Sequence, residues 1–188
     1  MIRPQSTRVT DHRSYAGQIA AGTLRTGDEI MILPSRSTTR ITRIDTPSGP
    51  VPEAHAGLSV TVQLADDLDI SRGDLLCHPH DTPTVSQELQ ALICWMDATR
   101  PLDPTRTYTI KHTTRTARAT IHRLHHRLDI NTLNEEPATT LNVNEIGHIT
   151  LRTTTPLTYD PYQHNRTMGG FILIDDTTHQ TVGAGTLT

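Results

Sequence analysis

The sequence predicts an all-β protein built as two tandem antiparallel β-barrels. Short apolar segments alternate with polar residues, Gly, Pro and Asp interrupt them, and almost no stretch has a helical period. The chain contains 33 threonines, and threonine favours strands because its branched side chain is stiff at χ1. A length of 188 residues suits one large domain or two small ones. We therefore predict a first barrel over residues 1–82 and a second barrel over residues 83–188.

The first half contains the strand and turn patterns of a small barrel. Residues 58–64 alternate apolar and polar side chains, as a strand with one buried face does. Gly-rich turns are predicted at 22–28 and 71–74, and a Pro-rich loop at 47–50. Six or so strands in about eighty residues suit a barrel. We place five of them, at 15–21, 30–33, 38–44, 58–64 and 75–77.

The second half repeats this pattern after a predicted linker, His78-Pro79-His80-Asp81-Thr82-Pro83. Its segments are again short, and Gly, Asn, Asp or Pro separates them. The predicted strands are 88–96, 107–111, 117–128, 147–154 and 170–174, with a short final strand at 182–185.

Composition excludes several classes of function. The net charge of −3 argues against a polyanion binder, and the 3% aromatic content argues against a nucleic-acid stacking platform. The only lysine, Lys111, lies between Ile110 and His112, so the chain contains no Gly-Lys-Ser/Thr phosphate loop. We predict a cytoplasmic protein, because no secretory signal follows Met1 and the apolar runs are too short to cross a bilayer. Cys77 and Cys94 are read as buried thiols, with a disulfide left open.

Several motifs in series carry a family resemblance. Residues 17–30, GQIAAGTLRTGDEI, resemble the second-domain signature of translation-factor GTPases. The narrower match consists of DLDISRGDL at 67–75, WM at 95–96, DINT at 129–132, LNVNEIG at 141–147, DPY at 160–162, TMGGFILID at 167–175 and TVGAG at 181–185. Together they resemble the two carboxy-terminal barrels of the large, GTPase subunit of sulfate adenylyltransferase (ATP sulfurylase).

The resemblance implies a fold and a role. The fold would be that of domains II and III of elongation factor Tu. In the family, a separate small subunit makes adenylylsulfate from ATP and sulfate, and the GTPase subunit couples GTP hydrolysis to that step. We expect GTP and Mg²⁺ to belong to a GTP-binding domain that would precede residue 2 and is missing here, so this chain would hold neither. Its expected partners are the small catalytic subunit and a GTPase domain, with no membrane.

We expect no catalytic, cofactor or metal site in the chain. No Gly-x-Ser-x-Gly elbow occurs, and Gly169-Gly170 and the glycines at 183 and 185 suit close backbone packing better than phosphate binding. Six polar or aromatic residues at predicted strand ends either fix loops or meet a partner, and they are our interface prediction: Asp129, Asn131, Asn144, Asp160, Tyr162 and Asn165.

Two other classes of function remain open. One is a binder of RNA or of the tRNA acceptor end that uses Arg115, Arg118, Arg123 and Arg127. The other is an enzyme with a metal site formed by His122, His125 and His126. Strict strand alternation argues against that site, because it would send His122 and His126 to one face and His125 to the other.

Overall fold

The computed structural model describes the backbone of Arg3–Pro4 and all of residues 13–188. It divides into two compact units at the junction between Pro83 and Thr84. The prediction of no secretory signal concerns residues that fall largely outside this description. No helix of the described chain is long and apolar enough to cross a membrane.

The first unit is an antiparallel β structure. Its strands are β1 (Arg3–Pro4), β2 (Ser14–Gln18), β3 (Thr23–Arg25), β4 (Glu29–Leu33), β5 (Ser37–Thr46), β6 (Gly49–Val51), β7 (Glu53–His55), β8 (Ser59–Leu64) and β9 (Leu75–Cys77). Seven of them form one sheet in the order β1-β2-β8-β5-β4-β9, with β6 paired to β5, while β3 pairs with β7. The inward side chains of β4, β5 and β8 form one core with Tyr15, Ala54 and Ile70.

The second unit is a closed antiparallel barrel. Its elements are β10 (Thr84–Trp95), β11 (Thr107–His112), β12 (Arg115–Leu128), β13 (Glu135–Glu136), β14 (Ile146–Tyr159), α1 (Arg166–Gly169), β15 (Gly170–Asp175) and β16 (Thr181–Leu187). The sheet order is β11-β15-β16-β10-β14-β12-β13, and a further pairing of β11 with β12 closes a ring of six strands. Closure leaves the ring without a free edge.

The core of the second unit follows the period of its strands. Leu89, Ala91, Ile93 and Trp95 are all buried along β10, with more exposed residues between them. The Trp95 indole donates a 2.7 Å hydrogen bond to the carbonyl of Arg100 and meets the Tyr108 ring edge-on at 5.7 Å. Both polar and apolar parts of this buried side chain are therefore satisfied.

The predicted fold class is confirmed, and the differences concern short or irregular elements. The predicted turn at 22–28 contains β3, and the predicted loop at 47–50 runs into β6. The strand predicted to end at residue 154 continues to Tyr159 through Pro156. The register between β10 and β14 shifts between Ser86 and Glu88, where the single residue Gln87 faces residues 153–156 of β14, and irregularities of this kind are where a sheet tolerates proline.

Candidate docking interface

One end of the second barrel carries half of the predicted interface residues. There β10 and β12 end and β14 begins, since Cys94 and Leu128 both pair with Ile146. The connections 129–134 and 142–145 lie at this end, and they contain Asp129, Asn131 and Asn144.

Hydrogen bonds fix the loop that follows β12. The Asp129 carboxylate accepts hydrogen bonds from the backbone N–H groups of Asn131, at 2.7 Å, and Thr132, at 3.2 Å. These bonds, first of all the one from Asn131, lower the pKa of Asp129. The Leu133 N–H bonds the Asp129 carbonyl at 2.7 Å. Asp129 therefore shapes the loop, which is the structural role considered for it, and its carboxylate is ionised at neutral pH.

The connection before β14 is anchored on both sides. The Asn144 N–H donates to the Trp95 carbonyl at 2.8 Å, and the Trp95 N–H donates to the Glu145 carbonyl at 3.0 Å. The Arg127 guanidinium donates hydrogen bonds to the carboxylates of both Glu136 and Glu145. This clamp joins β13, which follows the first connection, to Glu145 of the second connection.

The other three predicted residues lie beyond the far end of β14. Asn165 accepts a 3.2 Å hydrogen bond from the Met168 N–H as the N-cap of α1, and its side-chain amide donates to Asp160 at 3.1 Å. The Tyr162 N–H bonds the Leu187 carbonyl at 2.9 Å. Because the 14 residues of β14 separate these residues from Asn144, the six predicted residues form two groups and not one.

Sequence reasoning missed the apolar residues of the barrel end. Four side chains there are exposed although large and apolar: Met96 (49%), Ile130 (64%), Leu133 (70%) and Val143 (40%). We call these four residues the apolar end patch. A signal was present in the sequence, because Ile130 stands in Asp-Ile-Asn and Val143 in Asn-Val-Asn, where turns ordinarily carry polar residues.

The histidines of β12 do not alternate as predicted. The register between β12 and β14 shifts between Ile121 and Arg123 and again between Leu124 and His126, so His122 and His125 are extra residues. A bulge places two residues opposite one, and the rings of both His125 and His126 meet that of His148, at 5.0 and 5.3 Å. The alternation argument was therefore wrong. Even so, the described residues contain no group of three or more His, Cys, Asp or Glu arranged to hold a metal ion.

Two of the four arginines considered for RNA form ion pairs with carboxylates. Arg118 pairs with Asp176 at 3.2 Å, and Arg127 is held by two carboxylates. Paired guanidinium groups contribute little to the release of counterions from a nucleic acid. The segment thus offers less positive charge than its sequence suggests.

Gly169, Gly183 and Gly185 have the packing role predicted for them, whereas a Cβ on Gly170 would make only ordinary contacts. A Cβ on Gly169 would lie 2.3 Å from the Tyr162 Cα, and one on Gly185 would lie 2.4 Å from the Phe171 ring. Neither glycine opens a helix. Cys77 and Cys94 form no disulfide, and both are half-buried and not fully buried as predicted.

Comparison with known families agrees with this architecture. Residues 15–77 match elongation factor Tu domain 2, and residues 88–188 match the GTP-eEF1A C-terminal domain-like family. Two solved structures share the fold at low identity: sup35 complexed with GDP (TM-score 0.85, 21% identity, 100% of this chain and 46% of that chain) and translation elongation factor SelB from Methanococcus maripaludis (TM-score 0.76, 18% identity, 98% and 41%).

Curated relatives extend the match over almost the whole chain. The bifunctional enzyme CysN/CysC of Mycobacterium tuberculosis H37Rv is 52% identical over 98% of this chain and 30% of its own length. Sulfate adenylyltransferase subunit 1 of Aeromonas hydrophila is 45% identical over 93% of this chain and 37% of its own length. The chain thus spans about a third of the relatives that it matches. It belongs to the GTP-eEF1A C-terminal domain-like family, preceded by an elongation factor Tu domain 2, and is similar along nearly its full length to sulfate adenylyltransferase subunit 1.

Proposed function

We propose that the chain is the non-catalytic carboxy-terminal part of a sulfate adenylyltransferase GTPase subunit. It docks the subunit that makes adenylylsulfate from ATP and sulfate, and it supports the coupling of GTP hydrolysis to that reaction in the cytoplasm. One observation carries the proposal: 52% identity to a CysN/CysC enzyme runs through both units of the fold, over 98% of the chain.

The chemistry of the chain suits a supporting role. GTP requires a phosphate loop with a lysine, but Lys111 is exposed within β11 and pairs with Ile172 and Thr116 of neighbouring strands. The described residues therefore do not fit GTP and its Mg²⁺, and we assign both to a GTPase domain outside this chain.

The two groups of predicted residues are the proposed interface. Asp129, Asn131 and Asn144 occupy one end of the second barrel, while Asp160, Tyr162 and Asn165 follow the other end of β14. Hydrogen bonds within their own loops account for part of the role of these residues. Asn131 and Asn144 are exposed and therefore available to a partner.

Affinity purification of the chain, tagged at its own locus, tests this function. We expect mass spectrometry to recover the adenylyltransferase catalytic subunit together with a GTPase domain. Recovery of RNA in place of both proteins, lost in an Arg115→Ala/Arg118→Ala variant, would support the alternative of a stand-alone RNA-binding module and contradict the proposal.

A further inference from the structure

We propose that the apolar end patch, formed by Met96, Ile130, Leu133 and Val143, is the surface that docks the catalytic subunit. The matching face of that subunit is apolar at its centre and bordered by Lys and Arg. This inference rests on the proposed function and specifies which part of the chain performs it.

Exposure distinguishes the patch from the rest of the described surface. Six large apolar side chains are exposed among the described residues, and four of them form the patch. Single exposed apolar residues are ordinary, but several at one place are typical of an interaction site. The backbone at this end also adopts a costly conformation, since Leu133 has φ 58°, in the left-handed region that disfavours leucine.

The patch is rigid before any partner arrives. Asp129 holds the loop of Ile130 and Leu133 through its two backbone hydrogen bonds, and Asn144 ties the loop of Val143 to Trp95, the neighbour of Met96. The Arg127 clamp then ties β13, directly after the first loop, to Glu145 of the second loop. Pre-ordered side chains lose little entropy on binding, which is the property of an efficient anchor.

The charge around the patch selects the partner. Asp97 follows Met96, and bonds from Thr99 lower the pKa of its carboxyl and keep it ionised. The segments 96–106 and 127–145 at this end contain six carboxylates and only three arginines, which are Arg100, Arg106 and Arg127. An acidic border complements Lys and Arg on a partner.

The same charge excludes other occupants. A second copy of the chain would bring an identical acidic border against this one, and like charges across an interface cost several kcal/mol. An anionic membrane surface or a nucleic acid would be repelled for the same reason.

The test measures binding of the full chain to the purified catalytic subunit of the same organism by biolayer interferometry. An Ile130→Ser/Leu133→Asn variant removes two anchors, and Asn suits the positive φ at position 133. We expect the Kd to rise at least about thirtyfold, as for loss of interface anchors. The comparison variant Leu92→Thr changes an exposed apolar side chain of β10 outside both groups of predicted residues, and it is expected to bind like the parent chain.

Charge variants test the acidic border separately. Glu135, whose only ion pair in the described structure is to His126 at 3.4 Å, is replaced in Glu135→Lys. Asp69→Lys makes the same change of charge on an exposed residue of the first unit. We expect Glu135→Lys, but not Asp69→Lys, to associate more slowly than the parent chain. This difference in association rate should shrink at high salt.

The outcomes separate the two proposals. A parent chain that does not bind the catalytic subunit overturns both. A parent chain that binds, with an unchanged Kd for Ile130→Ser/Leu133→Asn or a loss confined to Leu92→Thr, overturns the assignment of this patch and leaves the proposed function standing.

Discussion

Gly169 ends α1 where the backbone of residue 162 passes against it, and replacing it with alanine tests how tightly this connection is packed. The added Cβ would lie 2.3 Å from the Tyr162 Cα and 2.5 Å from its backbone nitrogen. An ordinary contact needs at least 3.4 Å, so one backbone segment must move by about 1 Å or more. The hydrogen bond from the Tyr162 N–H to the Leu187 carbonyl resists that movement.

The expected loss of stability depends on which atoms the added Cβ contacts. Overpacking a well-packed site costs about 1–3 kcal/mol, and a contact with backbone belongs at the upper end because no side chain can rotate away. For a unit of roughly 100 residues, about 3 kcal/mol lowers the Tm by about 12 °C or more. We expect this shift in the thermal transition of the Gly169→Ala variant, followed by circular dichroism.

The neighbouring glycine provides a matched control. A Cβ on Gly170 would meet its nearest atom, the Arg166 carbonyl oxygen, at 3.5 Å, which is ordinary contact. Gly170→Ala should therefore leave the Tm nearly unchanged. Equal Tm values for the two variants would refute the packing argument.

Three further outcomes are expected. Burial lowers the pKa of His112, and burial together with two neighbouring histidines lowers the pKa of His148. Below about pH 6.5 the unfolded chain therefore binds more protons than the folded chain. The urea midpoint should be constant above that pH and fall as the pH drops below it, and the fall should be smaller in His148→Gln. Asn165→Ala should cost about 1 kcal/mol in chemical denaturation, because it removes the N-cap of α1, whereas Asn165→Ser, which keeps a capping oxygen and brings no charge near Asp160, should cost less. The pure chain should bind no GTP in isothermal titration calorimetry, and saturable binding would contradict the argument from Lys111.

The second barrel was predictable wherever a strand was long enough to show its period. Residues 88–96 contain four buried side chains at alternate positions, and this alternation predicts β10 directly. The strands that sequence reasoning missed, such as β7 and β13, have two or three residues and show no period. Pairing defines them, since β13 pairs with the long strand β12 and β7 pairs with the equally short β3.

The candidate site was only half predictable for a related physical reason. Turn chemistry pointed to Asp129 and Asn165, since carboxylate and amide side chains bond nearby backbone. It did not reveal that Ile130 and Leu133 remain exposed, because exposure depends on what the rest of the barrel leaves uncovered. The sequence also does not predict the bulges that bring His125 and His126 to the ring of His148.

The central claim is that these barrels dock an adenylyltransferase catalytic subunit, and native mass spectrometry of the two purified proteins tests it most directly. We predict a heteromeric complex whose mass includes the 20.8 kDa of this chain. Free subunits alone, at concentrations where the catalytic subunit is fully folded and active, would contradict the claim.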